Sequence, residues 1–262
     1  MVVISWVSIM HAIILAAGRG SRLSEHNPEG DPKCLMKFGG CSLLARHLDL
    51  LFHVGVRQAD LVVGYEADRI IEHVGTLASR PDVAFHFNPR YELGSVLSLW
   101  AAQETLNSGH PVLVMDADVL YHPDILQKLV ETKIENCYLL DRDFVPGDEP
   151  VKIAVRDGIM VDFRKQLSAR LEYDTVGESV GFFRFGPECA GTIAGECARF
   201  DLEGLGDAPH EEALRNVLLL SPESFGFEDV SGLPWIEIDF PEDVVRAGDE
   251  ILPAIRVDFP EF

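Results

Sequence analysis

The chemistry-bearing residues of this 262-residue chain gather at three places. The first is Ile13-Ile14-Leu15-Ala16-Ala17-Gly18-Arg19-Gly20-Ser21-Arg22-Leu23, an apolar run that passes into small residues and glycines, followed at Pro32-Lys33-Cys34-Leu35 by a lysine. Where a buried strand opens into glycine, backbone N–H groups approach an anion with no side chain in the way. Arg22 and Lys33 would add fixed positive charge, so the stretch reads as a phosphate cradle. Two other glycine-loop chemistries fail on spacing: the dinucleotide fingerprint needs a glycine where Leu23 stands, and the G-K-[ST] of the Walker loop is absent. The second place is Met115-Asp116-Ala117-Asp118-Val119-Leu120-Tyr121, two carboxylates ending an apolar run where a parallel sheet opens its ligand crevice. Hard carboxylate oxygens there suit Mg²⁺ carrying a triphosphate, while the local alternative is capping of the next helix, a job for which Pro123-Asp124 already competes. The third is Trp235-Ile236-Glu237-Ile238-Asp239-Phe240-Pro241, where Asp239 precedes a proline-initiated helix and has an N-cap as its plain alternative.

The combination L-A-A-G-x-G-x-R-L then P-K-x-L resembles the signature of the nucleotidyltransferase superfamily that includes sugar-phosphate nucleotidyltransferases and phosphocholine cytidylyltransferases. The chain matches at every position. The resemblance implies a nucleotide wrapped by Leu15, Ala16, Ala17, Gly18, Gly20 and Ser21, with Arg22 and Lys33 on its phosphates. It implies Mg²⁺ as the cofactor, held by Asp118, which matches the family's aspartate by its distance from the following aromatic and H-P. Asp239, in the closing E-I-D segment, is the partner ligand by the same resemblance, and Asp116 is an extra acid on the nucleotide side.

Other segments are similar to the phosphocholine-type branch. Gly64-Tyr65 resembles its V-G-Y turn, and Asn88-Pro89-Arg90-Tyr91 its N-x-x-Y; both imply contacts with the base. Gly94-Ser95 follows a strand and opens a helix, so its backbone donors are expected to face the nucleotide crevice; it stands where the branch carries an Asn-Asn pair, a departure that leaves nucleobase and acceptor open. Lys152, Lys165 and Glu178 fall on its K-V, K-x-L and G-E-S-x-G patterns, which implies contacts with the acceptor phosphate or head group, Lys152 as a neutralising cation. Trp100, Tyr173, Phe182 and Trp235 are candidates for a cage around a quaternary ammonium, with ordinary core packing as the alternative. The nine histidines suggest no catalytic pair, and His86 and His122 read as structural.

These residues need a scaffold, and the apolar pattern supplies one. Short continuous runs at Ala12–Ala16, Asp60–Val63, Val83–Phe87, Pro111–Met115 and Cys137–Leu140 read as strands. Between them lie helical periodicities: one capped by Ser42 with Leu43, Leu44, His47, Leu48 and Leu51 on a face, then Ala67–Val74, Val96–Leu106 and Asp124–Val130. Alternation of this kind predicts a Rossmann-like three-layer α/β/α sandwich on a mostly parallel mixed sheet, which is also the fold the resemblance implies. Beyond residue 141 come strands at Val151–Val155, Met160–Phe163 and Ser179–Phe185, helices near Pro187–Phe200 and Pro209–Leu220, a strand at Trp235–Ile238, and a helix from Pro241. No linker separates the halves, so residues 10–262 read as one domain, with 10–140 holding the nucleotide and 141–262 the acceptor. Residues 1–9 read as an extension; without a basic n-region or cleavage pattern they are not expected to export the chain.

Composition narrows the partners. The chain carries 43 acids against 22 bases, a formal charge of −21, and the imbalance lies mainly in the second half: 27 acids to 11 bases, against 16 to 11 before residue 141. No basic face for nucleic acid and no membrane span are expected. Five cysteines without C-x-x-C spacing read as reduced thiols of a cytoplasmic protein, and the oligomeric state stays open. The expected function is a Mg-dependent cytidylyltransferase that joins CMP from CTP to phosphocholine or a related small phosphate or phosphonate. A sugar-1-phosphate nucleotidyltransferase and a non-catalytic nucleotide-binding module are the alternatives. The acidic second half suits an acceptor with a cationic head better than a neutral sugar.

Overall fold

The computed structural model describes residues 10–23, 31–78 and 80–262, so the extension at 1–9 lies outside the described residues. The first half builds a parallel sheet. Strand β1 (His11–Ala16) pairs in register with β4 (Gln58–Val63) on one side and β6 (Val112–Asp116) on the other, and β4 pairs with β5 (Asp82–Phe87). The register sets Leu15 opposite Asp116 and Ala16 opposite Val63. The glycine loop, the 116–118 acids and Gly64 therefore leave the sheet at the same, C-terminal edge, where open α/β sheets bind ligands.

The second half extends this sheet with opposite polarity. Strand β11 (Thr175–Phe185) runs antiparallel to β6, β8 (Asn136–Asp141) and β9 (Lys152–Arg156), and β10 (Ile159–Arg164) closes that edge against β9. Strand β12 (Phe225–Asp229) adds to β8 in parallel. One contiguous sheet thus runs through both halves.

Helices cover both faces. On one side α1 (Leu43–His53), α2 (Ala67–Gly75) and α5 (Pro123–Glu131) bury Leu44, Leu48, Leu51, Ile70, Val74 and Leu126 against the sheet. On the other, α3 (Ser95–Ala101), α4 (Gln103–Leu106), α6 (Pro187–Leu202) and α7 (His210–Leu220) form the second layer. Ser42 caps α1 as its sequence suggests, its hydroxyl accepting from the Ala45 N–H. The single helix expected over 96–106 is instead broken at Ala102, where ψ turns to 24°.

Two small ladders were not read from the sequence. Strands β2 (Lys37–Phe38) and β3 (Cys41–Ser42) form a hairpin, and β7 (Val119–Tyr121) pairs antiparallel with β13 (Trp235–Glu237). A third apolar cluster, with Leu120, Ile236, Ile238, Leu252 and Ile255, fastens this ladder to the C-terminal helices α8 (Pro241–Arg246) and α9 (Leu252–Asp258). Between them a π-turn spans Ala247–Ile251. Pro253 has no N–H for the Asp249 carbonyl and its ring crowds that group, which favours a wider turn ahead of it. Among the described residues no helix is long and apolar enough to cross a membrane.

Candidate active site

The β7–β13 ladder decides the geometry. It sets Glu237 opposite Val119, and one residue further the Ile238 N–H donates to the Asp118 carbonyl (3.0 Å). Residues more than a hundred positions apart are thereby locked side by side. Asp118, Glu237 and Asp239 each bring a carboxylate oxygen within 4.8 Å of the others. The Lys33 ammonium sits against two of them, donating to Asp239 Oδ1 (2.6 Å) and Asp118 Oδ2 (3.0 Å). Arg22 reaches Asp239 Oδ2 (3.3 Å) from the exposed side.

Lys33 reaches the acids through a gap that a glycine leaves. Gly20 adopts φ +62°, and a Cβ there would stand 2.7 Å from Lys33 Cγ. The left-handed conformation and the passage of the lysine stem both require glycine.

Charge shapes the ionisation of the cluster. Burial alone would depress the Lys33 ammonium, but the facing Asp118 and Asp239 carboxylates outweigh it and hold it above its ordinary value. Burial likewise opposes ionisation of Asp239, and Lys33 reverses the balance, keeping that carboxyl below the usual range. Glu237 opens onto the cleft, yet desolvation by surrounding protein, then Asp118 and Asp239, holds its carboxyl well above the carboxylate norm. Desolvation does the same to Asp116, reinforced by Glu211 and Asp118. One lysine therefore faces more negative charge than it neutralises. Three clustered carboxylates with this surplus are a donor set that fits a hard divalent cation.

The trio lies on the wall of a cleft of about 290 Å³, which Leu15, Ala16, Ala17, Gly18, Gly20, Arg22, Lys33, Ser95, Asp116 and Lys165 also line. A second cleft of about 290 Å³ shares Glu237 and Asp239 with the first and continues to Asp141, Glu178, Trp235, Phe144 and Phe240. The Trp235 indole N–H donates to Asp141 Oδ2 (2.7 Å), which fixes its ring. Glu178, with burial as the main cause and Asp141 as the next, has its pKa raised to about 7. Ser21 opens a short 3₁₀ turn, Ser21–Leu23, and its side chain lies outside the described residues.

Several expected contacts lie elsewhere. The Lys152 ammonium donates to the carbonyls of Lys165 (2.6 Å), Gly147 (2.7 Å) and Pro150 (3.2 Å) and lines neither cleft. It ties a loop together, and the acceptor-neutralising role is withdrawn. Asn88 is buried, donating to Ser98 Oγ (3.1 Å) and accepting from the Arg90 N–H. Gly64 is a packing glycine, since a Cβ there would run into the Tyr91 side chain. The Gly94 N–H, expected to face the crevice, is spent on the Gly206 carbonyl (2.8 Å). The four aromatics form no cage: Phe182 is fully buried, Trp100 packs on the core, and Tyr173 is exposed outside both clefts, leaving Trp235 beside Glu178.

Side chains that had not been singled out also enter the site, among them Glu237, His210, Glu211 and Asp141. Glu237 completes the trio; its signal was the E-x-D spacing, which puts both acids on one face of an extended segment. His210 and Glu211 come from the start of α7. The Ser95 hydroxyl accepts from the His210 backbone N–H (2.9 Å) and lies 3.0 Å from Nδ1 of the same histidine. No spacing rule joins residues 95 and 210.

A scan against family models matches residues 12–149 to the MobA-like NTP transferase domain. The chain belongs to this family. Among curated relatives, it is 26% identical to the CMP-5'-(3-aminopropyl)phosphonate synthase of Streptomyces rubellomurinus, over 93% of this chain but only 39% of that one. It is 22% identical to the CTP:phosphoglutamine cytidylyltransferase of Campylobacter jejuni, over 90% of this chain and 98% of the relative. It is also 28% identical to the bifunctional IPC transferase and DIPP synthase of Rubrobacter xylanophilus, over 92% of this chain and 51% of that one. The chain thus spans about half or less of two of these relatives and nearly all of the third. The MobA-like fold extends to solved structures: the inositol-1-phosphate CTP transferase of T. maritima superposes with a TM-score of 0.75 at 21% identity, covering 95% of this chain and 97% of that one. The CTP:phosphocholine cytidylyltransferase of Streptococcus pneumoniae gives 0.68 at 20%, covering 92% and 98%.

Proposed function

We propose that the protein is a Mg²⁺-dependent cytidylyltransferase that transfers CMP from CTP to a small phosphate or phosphonate bearing a cationic head, with release of pyrophosphate. The observation that carries the reading is the convergence of Asp118, Glu237 and Asp239 on Lys33 at the mouth of the glycine loop. Relatives named as a CMP-5'-(3-aminopropyl)phosphonate synthase and a CTP:phosphoglutamine cytidylyltransferase support the nucleotide and the acceptor class.

In this reading an ionised acceptor oxygen attacks the α-phosphorus, and the bond to the bridging oxygen of the leaving pyrophosphate breaks. Such an acceptor is anionic at neutral pH, so no general base is needed and the task is alignment and charge neutralisation. The glycine loop offers backbone N–H groups to the triphosphate. Lys33 and Arg22 compensate its charge, and Lys165 stands at the junction towards the acceptor half. Asp118, Glu237 and Asp239 would hold Mg²⁺, which when bound supplies compensation for charge developing on the phosphates. The second cleft, with Glu178, Asp141 and the Trp235 ring, suits the cationic head. These acids and aromatics favour that head over the neutral hexose of a sugar-1-phosphate.

The test is pyrophosphate release across CTP, UTP, ATP, GTP and dTTP, each with phosphocholine, aminoethylphosphonate, glycerol phosphate and a hexose 1-phosphate. Release with CTP and an amine-bearing acceptor is expected. Release only with a hexose phosphate would replace the acceptor class, and no release with any pair would favour a binding module.

A further inference from the structure

His47 lies in the middle of α1, fully buried and away from both clefts. Its Nε2 is 3.2 Å from the Ala117 carbonyl oxygen and its Nδ1 is 3.3 Å from the Tyr121 hydroxyl. The Tyr121 and Phe182 rings pack around it at centroid distances of 5.2 and 5.9 Å. Burial drives the imidazolium pKa down to about 4, so the ring is neutral at physiological pH and carries a single N–H. A carbonyl oxygen only accepts. The proton therefore sits on Nε2 and is donated to Ala117, while Nδ1 accepts from the tyrosine hydroxyl. The arrangement gives each of these polar atoms a protein partner where the ring is fully buried.

The carbonyl that His47 holds belongs to the Ala117–Asp118 peptide, whose orientation sets the direction in which the Asp118 side chain leaves the backbone. On the other flank, the Asp118 carbonyl is held by the Ile238 N–H. We infer that His47 is a positioning residue for the acidic trio: through the Ala117 carbonyl it fixes Asp118 against Glu237, Asp239 and Lys33. The inference rests on the divalent-cation reading of that trio. Partners that orient ligands at one remove typically change metal affinity 10–100-fold when lost.

The experiment is Mn²⁺ binding to the purified protein without nucleotide, followed by the paramagnetic signal of free Mn²⁺, with melting temperature recorded for each variant. Glutamine places its amide nitrogen at the level of Nε2, whereas asparagine places it near Nδ1. His47→Gln should bind Mn²⁺ close to wild type, and His47→Asn and His47→Leu should bind roughly 10–100-fold more weakly. If His47→Leu fails to fold, the Gln and Asn pair decides. Equal Mn²⁺ binding by Gln and Asn variants, or by Leu and wild type, overturns the role of His47 alone. Wild type that binds no Mn²⁺, or that binds it equally after Asp118→Asn, removes the cation reading itself and this inference with it.

Discussion

Lys33 holds two jobs that a neutral side chain cannot take over. It bridges Asp118 and Asp239 within the chain, and in the proposed reaction it faces the phosphates. Lys33→Ala should cost about 2–4 kcal/mol of transition-state stabilisation, a fall of tens to hundreds in kcat; an unchanged kcat in steady-state kinetics would remove it from the reaction. Lys152 makes the opposite expectation. With its ammonium enclosed by three carbonyls, Lys152→Met should lower the melting temperature while leaving kcat within about threefold, because it lets a loop go slack and removes no charge from the cleft. The V-K-I pattern was legible; the carbonyls around the lysine were not, since their arrangement depends on how 147–150 and Lys165 fold back. Glu178 adds a pH signature. With its pKa raised to about 7 chiefly by burial, it is protonated below that value and carries charge above it. The KM for a cationic acceptor should therefore fall as pH rises through about 7, and Glu178→Gln should flatten that dependence. A wild-type KM that is constant from pH 6 to 8 would detach Glu178 from the acceptor.

The elements differ in how openly the sequence declares them. Strands β1, β4, β6 and β8 are built on apolar runs, as strands buried on both faces have to be, while β5 at the sheet edge is largely exposed; the order of these runs was enough to place the glycine loop and Asp118 at one sheet edge. The ladder that brings in Glu237 and Asp239 is different in kind. Strands β7 and β13 have three residues each, too short for a period, and their pairing is set by the apolar contacts of Leu120, Ile236 and Ile238 with the C-terminal helices. A resemblance supplied Asp239, and only the ladder explains why it stands beside Asp118. The link is open to a backbone test. Ile238→Pro removes the N–H that the Asp118 carbonyl accepts while leaving every acid and cation in place. The half-saturating Mg²⁺ for activity should rise, with a melting loss smaller than that of unfolding α8 and α9. An unchanged Mg²⁺ requirement would mean that the ladder does not set the trio's spacing.

At the scale of the whole molecule, the surplus of acids acts against the proposed substrate. A formal charge of −21 repels a nucleoside triphosphate at a distance, while the cleft draws it in with Lys33, Arg22 and Lys165 at contact range. Even these cations are partly spoken for: Glu149 lies 3.0 Å from Lys165 and 3.6 Å from Arg22. Long-range and short-range terms respond differently to salt, because the Debye length falls from about 30 Å at 0.01 M to about 8 Å at 0.15 M. Screening at that length suppresses the repulsion across the surface and acts much less on short, partly buried contacts such as Lys33 with Asp239. Between 0.01 and 0.15 M KCl at fixed free Mg²⁺, kcat/KM for the nucleotide should therefore stay level or rise while kcat holds. A fall of tenfold or more, the behaviour of a protein that gathers its substrate through a positive field, would show that the local cations and not the net charge govern encounter.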